Sequence, residues 1–253
     1  MLFLDRQDVA ALLPMTVCIA AIEQAFRAHA EGSLPSAPGV LSTQVPGGGF
    51  HVKTAALGPA PGYYAAKINA NFPGNPDRNG LPAIQGLVGL FDSGDGRPLA
   101  LLDSIEITTL RTAAASAIAA RHLALPDAKA LLVCGCGNQG RAHVRALLAV
   151  RRIERIYACD RDPERVTAFI GELGPETGLD IEPVSSAAEA LPRSDLAVTC
   201  TPAREVVLRA ADIRPGQFIA AVGADSAGKQ ELDPRVLAMS RVVTDLTGQA
   251  AHM

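Results

Sequence analysis

An apolar run, Ala130-Leu-Leu-Val-Cys134, gives way abruptly to Gly135-Cys-Gly137-Asn-Gln-Gly140, and a helix-forming stretch from Gln139 to about Val150 follows. Strand, glycine turn and helix in that order leave few folds open. Each glycine has its own physical duty. Gly135 admits the tight turn, Gly137 leaves room for an anion against the backbone, and Gly140 lets the helix lie close on the strand. The N–H groups and dipole at the helix start then face a pyrophosphate. Asp160 follows Gly140 by 20 residues, at the end of the next apolar run. A carboxylate there accepts hydrogen bonds from ribose hydroxyls and repels a 2′-phosphate, so the pattern predicts NAD. NADP stays open, because Arg161 and Arg165 stand nearby in sequence. A flavin, or a glycine turn with no ligand, are the remaining readings.

The rest of the second half repeats this alternation. Strands are expected at Ala130–Cys134, Arg155–Cys159, Asp195–Cys200, Gln217–Val222 and Arg241–Thr244, with helices between. Asp162-Pro163 and Asp233-Pro234 each put a carboxylate at a helix N-cap and Pro at the first helical position. Alternating strands and helices mean βαβ units and a parallel sheet. The first half reads as α+β. A helix is expected over Met15–Ala30, then a Pro- and Gly-rich stretch, Gly32 to Gly49. Strands follow near Gly49–Leu57, Tyr63–Asn71, Ala83–Asp92 and Arg97–Asp103, the last two joined by a Ser93-Gly-Asp-Gly96 hairpin. An Ala-rich helix, about Thr108–Leu123, leads onward. The predicted organisation is α/β: an α+β domain over 1–125 and a Rossmann-type domain over 126–253.

Composition removes several function classes. The formal net charge is −3 and there is no Trp, so nucleic acid as partner is disfavoured. No apolar run reaches the roughly 18 residues of a membrane span, and the N-terminus lacks a basic-then-apolar secretory pattern. The five cysteines (Cys18, Cys134, Cys136, Cys159, Cys200) form no CxxC pair, which suits reduced structural thiols in a cytoplasmic protein. No His or Cys spacing suggests a metal site.

The first half carries more specific text. Ala66-Lys-Ile-Asn-Ala-Asn-Phe-Pro-Gly-Asn75, Gly80-Leu-Pro-Ala-Ile-Gln85, Pro98-Leu-Ala-Leu-Leu-Asp103 and Thr109-Leu-Arg-Thr-Ala113 resemble the ornithine cyclodeaminase/mu-crystallin family. Val222-Gly-Ala-Asp-Ser-Ala-Gly-Lys-Gln-Glu-Leu232 agrees in the second half. The resemblance spans almost the whole chain. It implies a homodimer whose first domain binds substrate and dimerises while the second binds the dinucleotide. It implies an NAD(P)-dependent oxidoreductase acting at Cα of a small amino or imino acid, of ketimine reductase or amino-acid dehydrogenase type. Ornithine cyclodeamination to proline and ammonia, or a catalytically weak binding protein, are the alternatives.

By the same resemblance Lys67 matches the active-site lysine, Arg111 the arginine that grips the substrate carboxylate, and Asp225 the acid/base at the substrate amine. Gly135, Gly137, Asn138, Gln139 and Gly140 match pyrophosphate contacts and Asp160 the ribose contact. Arg161, Thr201, Val222 and Thr112 are further cofactor neighbours. The chemistry is coherent on its own terms. A planar guanidinium clamps a carboxylate, and a partly desolvated lysine exchanges protons near neutral pH. From composition alone Lys67 would be a solvated strand lysine and Arg111 a surface cation. Lys229 and Glu231 read as a structural pair or loop charges. Two departures weaken ornithine cyclisation: the arginine expected shortly after the first long helix is missing from Pro35-Ser-Ala-Pro-Gly-Val40, and the threonine expected after Gly80-Leu81 appears as Ala83. Separately, family members continue well past Asp245, so the C-terminus is expected to be short.

Overall fold

Short acidic side chains, Asp5, Asp103, Asp162 and Asp233, cap the starts of four helices. A computed structural model describes residues 1–34, 39–58, 62–226 and 228–245. Pro35–Pro38, part of the stretch where the family resemblance implies an arginine, and the C-terminal residues from Leu246 lie outside the described residues. After strand β1 (Leu2–Leu4), Asp5 caps helix α1 (Arg6–Leu12) by accepting from the Gln7 and Asp8 amides, while Asp8 returns the bond to the Asp5 amide. Helix α2 runs Met15–Ala30, as its apolar spacing predicts. Strands β2 (Gly39–Val45), β3 (Gly48–Leu57) and β4 (Tyr63–Asn71) follow, then a short helix α3 (Asn75–Asn79). Strands β5 (Ile84–Asp92) and β6 (Pro98–Asp103) form the expected hairpin, with Gly96 at φ +76°. Helix α4 (Ser104–Leu123) starts a turn earlier than expected, because Asp103 Oδ1 accepts from the Ile105 and Glu106 amides.

Chain contacts divide the protein into two units, Met1–Thr112 and Ala113–Met253, with the division falling inside α4. The first unit holds a six-stranded sheet ordered β1-β6-β5-β4-β3-β2, antiparallel except for β1 against β6. Strand β2 arises from the segment that the sequence marks only as Pro- and Gly-rich; its partner β3 supplies the hydrogen bonds that its own composition does not announce. The ladder Val40–Lys53–Lys67–Val88–Leu102 sits on one face of this sheet, and Leu41–Val52–Ile68–Leu87 on the other. On the first face the start of α4 is tied to β4, with Ser104 Oγ donating to Asn69 Oδ1 at 2.7 Å.

The second unit is a five-stranded parallel sheet. In chain order it contains β7 (Ala130–Cys134), α5 (Asn138–Leu148), β8 (Arg155–Cys159), α6 (Pro163–Thr177), β9 (Ile181–Pro183), α7 (Ala187–Ala190) and β10 (Leu196–Thr199). Strands β11 (Arg204–Leu208), β12 (Phe218–Ala221) and β13 (Gln230–Leu232) and helix α8 (Pro234–Ala238) complete it. The spatial order is β12-β10-β7-β8-β9, with β11 and β13 paired apart. Alternate residues of β7 enter two cores: Leu131 and Val133 pack with Val144, Leu147, Phe169 and Val198, while Leu132 and Cys134 pack with Tyr157, Leu191 and Leu208. A strand buried on both faces requires cover on both sides, which is the doubly wound arrangement. Asp162 and Asp233 cap α6 and α8 as their Asp-Pro pairs predict. Residues 241–244, expected as a strand, are not one: Val242 and Val243 are more than half exposed and no ladder takes them up. Arg151, from the one basic cluster of the sequence, donates to the carbonyls of Ala120, Arg121 and Ala124, and so closes the C-terminal end of α4. No single helix among the described residues is long and apolar enough to cross a membrane.

Candidate functional site

The strand order reverses between β7 and β10. Chain connections leave β7 towards β8 on one side and, later, towards β10 on the other. The usual ligand position in open α/β sheets lies outside the carboxyl ends of the strands at such a reversal. The glycine loop stands at that end. Gly135 has φ +101°, and a Cβ there would meet the Cys200 carbonyl oxygen at 2.7 Å. A Cβ at Gly140 would collide with the Gly135 carbonyl and press on Val133. Gly137 differs: a Cβ there would meet nothing within 4 Å. Protein packing therefore demands two of the glycines, while the third borders space the protein leaves open.

Gly137 is also the N-cap of α5, and no side chain caps it. The first amides of a helix have no intrahelical acceptor, so this end presents free donors and the positive end of the dipole. Gln139 Oε1 is buried without a hydrogen-bond partner. Asn138 is exposed beside it. Asp160, just past β8, holds the loop from behind: Oδ2 accepts from the Cys136 amide at 2.8 Å and Oδ1 from the Asp162 amide at 3.1 Å. A cleft of about 590 Å³ is lined by Asp160, Arg161, Val166, Ile170, Val184 and Ser185 among others, a volume suited to a small-molecule ligand. Arg165 is engaged by Asp162 at 3.4 Å. Uncapped amides, an orphaned amide oxygen, a glycine facing open space and a carboxylate beside a cleft all fit a dinucleotide.

Sequence reasoning missed Arg141. Its Nη1 donates back to the Cys136 carbonyl, its Nε pairs with Glu172 at 2.7 Å, and its guanidinium lies 5.6 Å over the Phe169 ring. The loop is thus braced from α6 as well as from Asp160. Nothing in a glycine motif signals that the residue after it reaches backward. His143, two residues further along α5, is fully buried; Nδ1 lies 2.8 Å from the Gln139 carbonyl and Nε2 3.0 Å from Ser116 Oγ. Burial holds its pKa down at about 4. The thiols nearby stay protonated: burial pushes Cys136 up to about 12 and raises Cys200 as well.

At the ends of β10 and β12 stand Thr201, Val222 and Asp225. Val222 donates its amide to the Thr199 carbonyl at 2.9 Å. Asp225 is 58% exposed and paired with Lys229 at 2.5 Å. Lys229 and Glu231, read as a structural pair or loop charges, do not pair with each other, and Glu231 is not a loop charge. Lys229 belongs to Asp225, and Glu231 is 1% exposed and accepts four hydrogen bonds from Thr199, Thr201 and Gly223.

In the first unit, Lys67 lies on β4 with its Nζ donating to Thr108 Oγ1 of α4 at 3.2 Å. Arg111 stands three residues further along α4, about one helical turn. Thr112 belongs to this unit as well, its hydroxyl bonded to the Thr108 carbonyl. Burial, then the positive charges of Arg111 and Lys53, lower the Lys67 pKa from 10.5 to about 8. Lys53 was not anticipated. It faces Lys67 directly across the β3–β4 ladder, 14 residues away in sequence, and only the register places it there.

The ornithine cyclodeaminase/mu-crystallin family profile matches residues 1–253. The chain is 35% identical over 253 residues to an alanine dehydrogenase of Archaeoglobus fulgidus, covering 99% of this chain and 76% of that protein. A solved structure described as an archaeal alanine dehydrogenase dimer with bound NAD superposes with a TM-score of 0.92 at 33% identity, covering 99% of this chain and 76% of the other. The Δ1-pyrroline-2-carboxylate reductase of Thermococcus litoralis, solved with NADH and L-proline, gives a TM-score of 0.85 at 32% identity over 92% of this chain and 72% of that one. The glycine loop, the doubly wound sheet and these matches lead to one conclusion: the chain belongs to the ornithine cyclodeaminase/mu-crystallin family.

Proposed function

We propose that this chain is an NAD-dependent oxidoreductase that reduces the C=N bond of a small α-imino acid and, in reverse, oxidises the amine at Cα. The observation that carries the reading is Lys67. A half-buried lysine with a pKa of about 8 exchanges protons in the range where enzymes work, and Arg111 beside it offers a fixed planar cation to a carboxylate. Names of relatives, alanine dehydrogenase and Δ1-pyrroline-2-carboxylate reductase, support the same substrate class.

In this reading the uncapped start of α5, with Gly137, Asn138, Gln139 and Gly140, holds the pyrophosphate, and Asp160 faces the ribose. Asp160 favours NAD; Arg161 is the group that would accept NADP. Thr201, Val222 and Thr112 are read as cofactor neighbours. Bound NADH supplies the hydride. Arg111 fixes the substrate carboxylate, Lys67 keeps a proton near the imine and takes it back in the oxidative direction, and Asp225 accepts or returns the amine proton.

A homodimer forms on the open face of the first sheet. Leu41, Phe50, Tyr64, Ile68 and Leu87 share that face by register and are exposed at 64%, 41%, 38%, 41% and 39%. Contiguous apolar area of this kind marks an interface. Five free thiols support a cytoplasmic location.

The test is a panel of pyruvate with ammonia, cyclic imino acids and keto acids, read by loss of NADH absorbance. Turnover is expected on at least one imino acid. Lys67→Ala should cut it about 1,000-fold while NADH binding stays within about twofold. Normal turnover by that variant removes Lys67 from the mechanism. Proline and ammonia from ornithine would identify the cyclodeaminase reaction instead, and NADH binding without turnover a binding protein.

A further inference from the structure

Among the described residues, Glu231 is the most completely buried acidic side chain of the second unit. Its Oε1 accepts from the Thr201 amide at 2.6 Å and from Thr201 Oγ1 at 2.8 Å. Its Oε2 accepts from Thr199 Oγ1 at 2.8 Å and from the Gly223 amide at 2.7 Å. Four donors converge on one carboxylate, and they come from two places: the end of β10 and the turn after β12. Gly223 is packed so tightly that a Cβ would meet the Thr201 amide nitrogen at 2.6 Å and would press on Glu231 itself. Such an arrangement is costly to assemble for stability alone, because a buried charge must recover its hydration from every neighbour.

The segment Glu231 closes is the one that carries Asp225. The Gly223 amide at its start is bonded to the Glu231 side chain at its end, and within it Asp225 donates its amide to the Gly223 carbonyl at 3.0 Å. Gln230 is bonded to the Ala203 carbonyl at 2.9 Å, which fixes the returning chain beside the continuation of β10. Thr201 on one side and Asp225 on the other therefore take their positions from the same carboxylate.

We propose that Glu231 is a positioning residue: by tying the end of β10 to the turn after β12 it sets where Thr201 and Asp225 stand toward dinucleotide and substrate. The inference rests on the reading of function above. A glutamine cannot replace it. Its amide NH₂ would face a backbone N–H from which it cannot accept, and a threonine hydroxyl that must turn from donor to acceptor, so at least one of the four bonds is lost and a second reverses while shape is retained.

The test uses the full chain with Glu231→Gln and, separately, Thr199→Val, which removes a single bond outside the proposed site. Three readouts apply: amide hydrogen exchange at Thr201 and Gly223–Ser226, NADH affinity from its own fluorescence, and kcat and KM on the imino acid. Glu231→Gln is expected to raise exchange at Thr201 and Gly223 and weaken NADH binding, each about tenfold, and to lower kcat more than it raises KM. Thr199→Val should move the same readouts in the same direction by less, and it decides the matter if Glu231→Gln does not fold. A folded Glu231→Gln protein with native exchange at those amides and native NADH affinity, changed only in melting temperature, overturns the proposal. If the wild-type chain reduces no imino acid, the functional reading fails, while exchange and NADH affinity still decide the role of Glu231.

Discussion

The glycine loop and the Lys67 cluster are built in opposite ways. The loop is largely local: Gly135 is set by its φ of +101°, Gly140 by collision with the Gly135 carbonyl and Val133, and Gly137 by space left open; only the contact of Gly135 with the Cys200 carbonyl reaches across the chain. The Lys67 cluster is remote in sequence. It needs β3 and β4 in one register and a helix some 40 residues later, and what defines it is charge in a half-buried place rather than shape. The contrast teaches that the two sites fail differently. Added volume should break the first, and a changed proton balance the second.

The largest effect should come from Gly140→Ala. The new methyl strikes backbone, so the protein should lose more than about 3 kcal/mol and most of its NADH affinity; a chemical melt and a titration measure both. Native stability in that variant would mean that the loop is looser than its packing implies. Next, His143 should make stability depend on pH. Its folded pKa of about 4 lies below its ordinary 6.5, so the folded state binds fewer protons in that window. Stability is then complete above about 6.5 and falls by about 3 kcal/mol as pH drops towards 4. Urea melts across that range should show the slope in the wild type and not in His143→Gln. The Lys67 cluster should answer to pH in its rate instead: kcat/KM for imine reduction should fall about tenfold per pH unit above about 8, and oxidation should rise through the same pH. A flat profile would mean that Lys67 does not carry the proton.

Sequence alone made the loop legible because its requirements are steric and local. Asp162 and Asp233 announced their helices for the same reason: cap and helix are neighbours in the chain. Strand β2 was hidden, since Gly39–Val45 is held by β3 and not by its own propensity. Lys53 and Glu231 were hidden too. One acquires meaning only from register, and the other from two strand ends that meet 8 and 30 residues from it. Reading Glu231 as a loop charge failed because a buried carboxylate and a solvated one are spelled alike. Lys67 was identified through family likeness, and its burial supplies the physical reason.

The most direct test of the account is Gly137→Ala. Its backbone, at φ −85° and ψ −163°, suits any residue, and its Cβ would meet no protein atom. If a dinucleotide uses that space, the variant should melt within about 1 °C of the wild type and bind NADH about tenfold more weakly or worse. Unchanged NADH binding in a stably folded Gly137→Ala protein would show that the pyrophosphate does not lie on the start of α5.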